Sequence, residues 1–439
     1  MNNLISKLID NIDLHTLDVI KKSTASMVVR VAGMSVGLIV SILLGRTLGP
    51  EGLGIISLAN QVVGLLLVLV ILGMDNVLVK QISIAFERRN WQIISSSLYT
   101  SLRINAPIAV VVSIIVIIFA PVISENIFHN PQLNIPLIIA VAMLLPETIS
   151  RIYASGLNGL RKIWQSNLVN ETLSITMVGI GLFIMFILDI KITVIKAVIL
   201  YAIGRLVVTL FVTAYWKKLF KFSSKGERIT KSMLSMSLPL LFVAVVSVIT
   251  SNSNLIMLGW LGNIRDVGLY SVAARLAMLM SFFLMISNTA ISPKLASLFA
   301  DGKIKEMNKM VKSVTGGLII IALFSLIIFI VGGHLLLSFW GHEFKNAYLI
   351  LVILSIGQFV NVSTGCAGMI LIMCGFEKIH SYISFGVVVL NLILNYFLIK
   401  EFGAIGAATA TAITIGSENI AKVILAKNKI GVLTIPFID

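Results

Sequence analysis

Charge is scarce in this chain. Asp, Glu, Lys and Arg make up 12% of its 439 residues, about half the share of a soluble domain. Hydrophobic residues make up 58%, and the mean hydropathy is +1.02. Too few charged side chains remain to coat a soluble surface of this size. Cysteine is nearly absent: Cys366 and Cys374 alone exclude a disulfide framework, and both lie in or beside an apolar run, where packing accounts for them. The histidines are scattered, and no H-E-x-x-H, C-x-x-C or Gly-rich phosphate loop occurs, so neither a metal nor a cofactor is expected. An Asp-x-Asp motif and a large external loop, features expected of a membrane-embedded polysaccharide polymerase or glycosyltransferase, are also missing. The chain reads as a non-enzyme.

Apolar sequence, by contrast, comes in long stretches. The runs 107–123, 172–188, 314–332 and 383–399 are nearly free of charge, and each is long enough to cross roughly 30 Å of hydrocarbon as a helix. The pattern predicts an all-α polytopic membrane protein with about twelve spans, near 27–44, 55–74, 104–123, 135–155, 168–188, 192–215, 235–258, 268–291, 314–336, 346–370, 383–399 and 404–426.

The net charge of +15 does not indicate nucleic acid, because the basic residues fall in alternate loops. One set of loops holds only Arg46, Lys191, Arg265, Lys345 and Lys400. The other set, with the two termini, holds most of the rest, which places both termini in the cytoplasm and suits a bacterial inner membrane. Residues 1–26 carry Asp10, Asp13 and Asp18 and lack the form of a cleavable signal. Leu4, Leu8 and Ile12, then Leu17 and Ile20, follow helical spacing and predict an amphipathic segment on the cytoplasmic face. Two lobes are expected, 27–215 and 235–426, joined by a basic linker, 216–234, and followed by a cytoplasmic tail, 427–439.

The two halves are related. Leu44-Gly45 and Gly54-Ile55-Ile56-Ser57-Leu58-Ala59 recur 214 residues later as Leu258-Gly259 and Gly268-Leu269-Tyr270-Ser271-Val272-Ala273. Gly159-Leu160-Arg161-Lys162 matches Gly375-Phe376-Glu377-Lys378 at an offset of 216. With six spans in each half, both begin on the same side, so the repeats are parallel. Transporters built this way bind substrate between the halves and alternate access by rocking them.

The stretch Gly45-Arg46-Thr47-Leu48-Gly49-Pro50-Glu51-Gly52-Leu53-Gly54 resembles the first hairpin of polysaccharide flippases. These are the O-antigen, or Wzx-type, transporters of the multidrug/oligosaccharidyl-lipid/polysaccharide exporter superfamily. Asn254-Leu255-Ile256-Met257-Leu258-Gly259, Val267-Gly268-Leu269-Tyr270 and Ala273-Ala274-Arg275-Leu276 are similar to the seventh and eighth spans of the same family. The resemblance extends over essentially the whole chain. It implies two lobes around a V-shaped central cavity, and export of an undecaprenyl-diphosphate-linked oligosaccharide, an O-antigen or other repeat unit of lipopolysaccharide or surface polysaccharide. It also implies a coupling ion, H+ or Na+, and association with polysaccharide polymerase machinery. Many relatives have an acidic residue where this chain has Asn254, so no ion-binding role carries over to that position. A drug or organic-cation antiporter of the same superfamily is the alternative, but cationic substrates call for carboxylates, and here span-embedded Arg and Lys outnumber them.

An ion at mid-bilayer costs at least about 2.5–3.5 kcal/mol, so charges inside spans face a cavity, a partner or the interface. Arg30, Arg151, Arg205 and Arg275 are candidates for holding a diphosphate, because the guanidinium pairs bidentately with phosphate oxygens and stays charged. Gln61 is the repeat counterpart of Arg275. Asn252, in the polar run Ser251-Asn252-Ser253-Asn254, and Gln358 and Asn361 are candidates for sugar hydroxyls, with interhelical hydrogen bonding as the alternative. Snorkelling is the alternative for Arg30 and Arg151 and the leading reading for Lys196. Glu147 and Arg151, four apart on one helix, could instead neutralise each other. For ion coupling the candidates are Glu147 first and Glu171 next, with Asp75 and Glu418 behind. Pro107, Pro146 and Pro239 are candidate bending points.

Overall fold

The computed structural model describes residues 14–220 and 230–436. The start of the amphipathic segment, with Leu4, Leu8 and Ile12, lies outside these residues. So do Lys221, Lys225 and Arg228 of the linker and the side chains of Lys231, Pro239 and Ser251.

Long apolar runs with few helix breakers give helices, and among the described residues there are no strands. In chain order these are α1 (Leu14–Ile71), α2 (Met74–Glu87), α3 (Trp91–Val122), α4 (Asn134–Ala142), α5 (Leu144–Gly159), α6 (Ile163–Asn167), α7 (Leu173–Ile187), α8 (Val194–Leu219), α9 (Thr230–Leu261), α10 (Ile264–Ala300), α11 (Ile304–Ser338), α12 (Tyr348–Ser363), α13 (Ala367–Met373) and α14 (Glu377–Ile430). Eight helical stretches among the described residues are long and apolar enough to cross a membrane, or nine when a bent pair counts as one. Two of them are interrupted: α1 at Gly49 (φ 67) and α14 at Gly403 (φ 55). These left-handed positions, which glycine adopts without steric penalty, end one apolar run and begin the next.

The bent pair is α4 and α5, which meet at 40°. Pro146 accounts for the break. It has no N–H to give the carbonyl of Ala142, and its ring crowds that carbonyl, so the first helix stops and a second starts at Leu144. Of the three prolines expected to bend spans, Pro146 does so by opening a new helix. Pro107 lies within the continuous helix α3.

The chain packs as two compact units. The first comprises residues up to Ser41, Leu66–Ala120 and Ile135–Ala244; the second comprises Ile42–Leu65, Pro121–Asn134 and the chain from Val245 onward. In the first unit α5 is central and packs on α2 and α8, while α8 also packs on α7. Small residues set these approaches: a Cβ at Gly156 would meet the Trp216 ring at 2.9 Å, and one at Gly204 would meet the Ser174 carbonyl at 2.9 Å. Lipid gives helices no hydrophobic reason to associate, so close backbone contact at small residues is how they gain packing energy.

In the second unit α12 is central, against α10, α11 and α14. The end of the first apolar run belongs here. Gly45 receives the ring of buried Trp340, and Arg46 Nε donates to the Phe339 carbonyl at 2.7 Å. Cys366 and Cys374 are buried with Leu295, Met307 and Leu371, as packing residues. Large apolar side chains such as Phe186 and Val331 are about four-fifths exposed (79% and 81%). That is tolerable where the surrounding medium is hydrocarbon.

Candidate functional site

The arginines expected inside the spans of the first unit, Arg30, Arg151 and Arg205, each have a carboxylate partner, whereas Lys196 donates to the Lys191 carbonyl at 3.0 Å. Glu147 follows the break before α5, in the first turn of the new helix, and pairs with Arg205 of α8. Gly204 allows α8 to approach the α7 backbone closely, and so brings the neighbouring Arg205 to this point. The pair is well shielded, with Glu147 13% and Arg205 28% exposed. One oxygen of Glu147 is engaged; the other, Oε2, is buried without a hydrogen-bond partner.

Arg151 lies one turn further along α5. It does not turn back to Glu147, as the four-residue spacing allowed. Instead its Nη2 lies 3.9 Å from Asp75 Oδ2. Asp75 is in the first turn of α2, directly after Gly73 (φ 72), and the start of this helix favours a negative charge.

Glu147, Arg151 and Arg205 line one small, open pocket, together with Ser150, Asn170 and Ser174. Two guanidiniums, one carboxylate and three neutral hydrogen-bonding groups thus converge on one space. The neighbouring Glu171 sits in a π-turn, Leu168–Thr172, and accepts from Arg30 Nη2 at 3.0 Å. A π-turn widens the helix by one residue and often marks a functional position. Thr172 beside it donates to the Val29 carbonyl at 3.0 Å, which holds α1 against this turn. Sequence reasoning missed Ser150, Asn170 and Ser174, since lone polar residues in apolar runs carry no spacing signal. The link of Asp75 to Arg151 spans too much sequence to be read from it.

The remaining candidates lie in the second unit. Asn361 Nδ2 donates to Gln358 Oε1 at 3.1 Å, so the two partly satisfy each other. Gln61 and Asn252 are half-buried, and Arg275 is exposed on α10. The neighbours of Asn252 enter a buried network. Ser253 donates to Asn391 at 3.1 Å, Asn391 to Thr414 at 3.1 Å, and Asn395 to Asn254 at 2.6 Å and to Asn391 at 2.8 Å. Asn391 and Asn395, four apart in an apolar run, were a legible signal that sequence reasoning overlooked. Glu418 accepts from Lys422 at 2.7 Å and from Ser384 at 2.8 Å, a buried pair within one helix. Among the described residues no group of three His, Cys, Asp or Glu could hold a metal ion.

Comparison with known proteins gives the setting. The family described as polysaccharide biosynthesis protein matches residues 19–299. The chain is 24% identical over 421 residues to a probable low-salt glycan biosynthesis flippase, Agl15, of Haloferax volcanii, covering 92% of this chain and 82% of that protein. Among solved structures, the lipid II flippase MurJ in an inward closed conformation superposes with a TM-score of 0.73 at 18% identity, covering 93% of this chain and 87% of that one. An inward-facing multidrug resistance MATE family transporter of the MOP superfamily superposes with a TM-score of 0.71 at 15% identity, covering 92% and 98%. The all-α polytopic fold expected from sequence is therefore the fold of these transporters, and the family resemblance of the first hairpin holds: the chain belongs to the polysaccharide biosynthesis protein family.

Proposed function

We propose that the protein is a flippase that carries an undecaprenyl-diphosphate-linked oligosaccharide, an O-antigen or other surface polysaccharide repeat unit, from the cytoplasmic to the outer leaflet. The observation that carries this reading is the convergence of Arg151 and Arg205 on one polar cavity inside an apolar bundle. A guanidinium in a span is expensive, and a phosphate-bearing headgroup is the ligand whose geometry its planar fork matches. The diphosphate would sit against Arg151 and Arg205, with Arg30 held by Glu171, the neighbour of the pocket residue Asn170. Asn170, Ser150 and Ser174 would accept or donate hydrogen bonds to phosphate or sugar, and the prenyl chain would stay in lipid.

The rest of the reading follows the same line. The chain would have twelve spans in two parallel halves, with both termini in the cytoplasm of a bacterial inner membrane, and would work by alternating access between the halves. Arg275, Asn252, Gln358 and Asn361 from the second half, and Gln61 from the first, would contribute glycan contacts. Glu147 and Glu171 would be the carboxylates available for coupling to H+ or Na+. The polymerase that consumes the exported unit would be a natural partner. Family membership and the name of the Haloferax relative support the substrate class.

The test is reconstitution. Purified protein in proteoliposomes should move a fluorescent undecaprenyl-diphosphate-linked glycan between leaflets faster than protein-free vesicles, with the rate reduced by Arg205→Gln. Equal rates with and without correctly inserted protein, using the glycan made by its own gene neighbourhood, would refute the proposal.

A further inference from the structure

The cavity that should attract an anion is already neutralised from within. Arg205 is held by Glu147, Arg151 is near Asp75, and Arg30 is held by Glu171. For a protein meant only to bind phosphate, these carboxylates are a handicap, because an arriving anion must compete with them. A bilayer, however, presents a vast excess of phospholipid headgroups with a single phosphate. Two bare guanidiniums, were they open to the bilayer, would be occupied by those.

We propose that Glu147 is a specificity-determining residue: by occupying Arg205 it sets a charge threshold that a diphosphate passes and a single phosphate does not. The inference rests on the substrate class proposed above and deepens it. A monophosphate gains one Arg contact and must displace Glu147 to do so, a near-even exchange of one anion for another. A diphosphate offers charge to both guanidiniums that line the pocket, Arg151 and Arg205, so displacing Glu147, and Asp75 from its looser 3.9 Å contact, is repaid at two groups. Discrimination thus arises from an element built against the wrong ligand. The geometry of Glu147 suits the role. It is 13% exposed, lies in the first turn of a helix that follows a backbone break, and leaves Oε2 buried without a partner. A released side chain therefore gives up one strong interaction, with no wider network to dismantle.

The experiment uses the full chain in nanodiscs of zwitterionic lipid, titrated with undecaprenyl diphosphate and with undecaprenyl phosphate, which differ by one phosphate. Wild type should prefer the diphosphate by roughly tenfold or more, as expected for displacing a shielded ion pair. Glu147→Gln should bind the monophosphate more tightly and bring the preference to within about threefold. An unchanged preference in Glu147→Gln, or equal loss of both ligands, overturns the proposal. Should Glu147→Gln fail to assemble, Glu147→Asp withdraws the charge by one methylene; a preference lowered by about threefold supports the proposal, and an unchanged one overturns it. If wild type binds both lipids equally, the threshold is refuted while the flippase reading stands. If it binds neither, both fall.

Discussion

Gly54 and Gly268 hold each other's helices at backbone contact. A Cβ on Gly54 would overlap the carbonyl oxygen of Ile264, and a Cβ on Gly268 would overlap the carbonyl oxygen of Pro50. The two glycines are 214 residues apart, as are the two carbonyls, so equivalent positions of the sequence repeat meet reciprocally. The same symmetry extends to Gly45 and Gly259. The first receives the Trp340 ring, with Cδ1 at 2.6 Å from a Cβ placed there, and the second receives Leu58 at 2.8 Å and Phe128 at 3.3 Å. All of these residues belong to the second unit.

This contact has a direct stability consequence. Gly54→Ala and Gly268→Ala should each destabilise the protein by about 1–3 kcal/mol, because the collision is with backbone and cannot be relieved by a rotamer change. Gly317→Ala and Gly332→Ala are the controls. No heavy atom lies within 4 Å of a Cβ at either site, and both lie within α11. Those two should be neutral or gain up to about 1 kcal/mol in helix propensity. Thermal midpoints in detergent would separate the two pairs.

The shielded pair Glu147–Arg205 should show strong energetic coupling. Arg205→Gln leaves a carboxylate without its partner and should destabilise by more than the double variant Glu147→Gln/Arg205→Gln. A coupling energy of roughly 1–3 kcal/mol is expected for a partly buried pair. Arg265–Glu343, with side chains 45% and 58% exposed, should give about 0–1 kcal/mol in the same cycle.

The amide network of the second unit makes a third prediction. Asn395→Leu removes the donor to Asn254 and Asn391, both buried, and leaves their oxygens without that hydrogen bond. A loss of about 1–3 kcal/mol per stranded group is the usual size. Asn361→Leu, whose hydrogen bond joins residues three apart on one helix, should have the smaller effect. Denaturation followed by intrinsic fluorescence checks the ranking.

Sequence made the spans legible because hydrocarbon imposes length and apolarity together, and few other folds satisfy both. It also made the Gly54/Gly268 hairpins legible, since a repeated motif is visible without any structure. The break before Glu147 is half-legible: Pro146 predicts a bending point, but not the start of a new helix that carries the cavity carboxylate. Pairing inside the cavity was not legible. Helical spacing favoured Glu147 with Arg151, whereas the partners Arg205 and Asp75 come from helices distant in sequence, brought close by small-residue packing at Gly204 and by the Gly73 break. Local spacing describes one helix surface; charge pairing in a bundle is decided between helices.

If arginines of the spans carry a phosphate-linked glycan across the membrane, removing their charge stops export. The most direct measurement is complementation in a bacterium that lacks its repeat-unit flippase but makes this protein's native glycan. Surface polysaccharide and lipid-linked units left on the cytoplasmic side are scored together. Wild type should restore surface glycan and clear the accumulation, and a variant with Arg30, Arg205 and Arg275 neutralised should do neither while inserting normally. Undiminished export by that variant would show that these arginines do not carry the substrate.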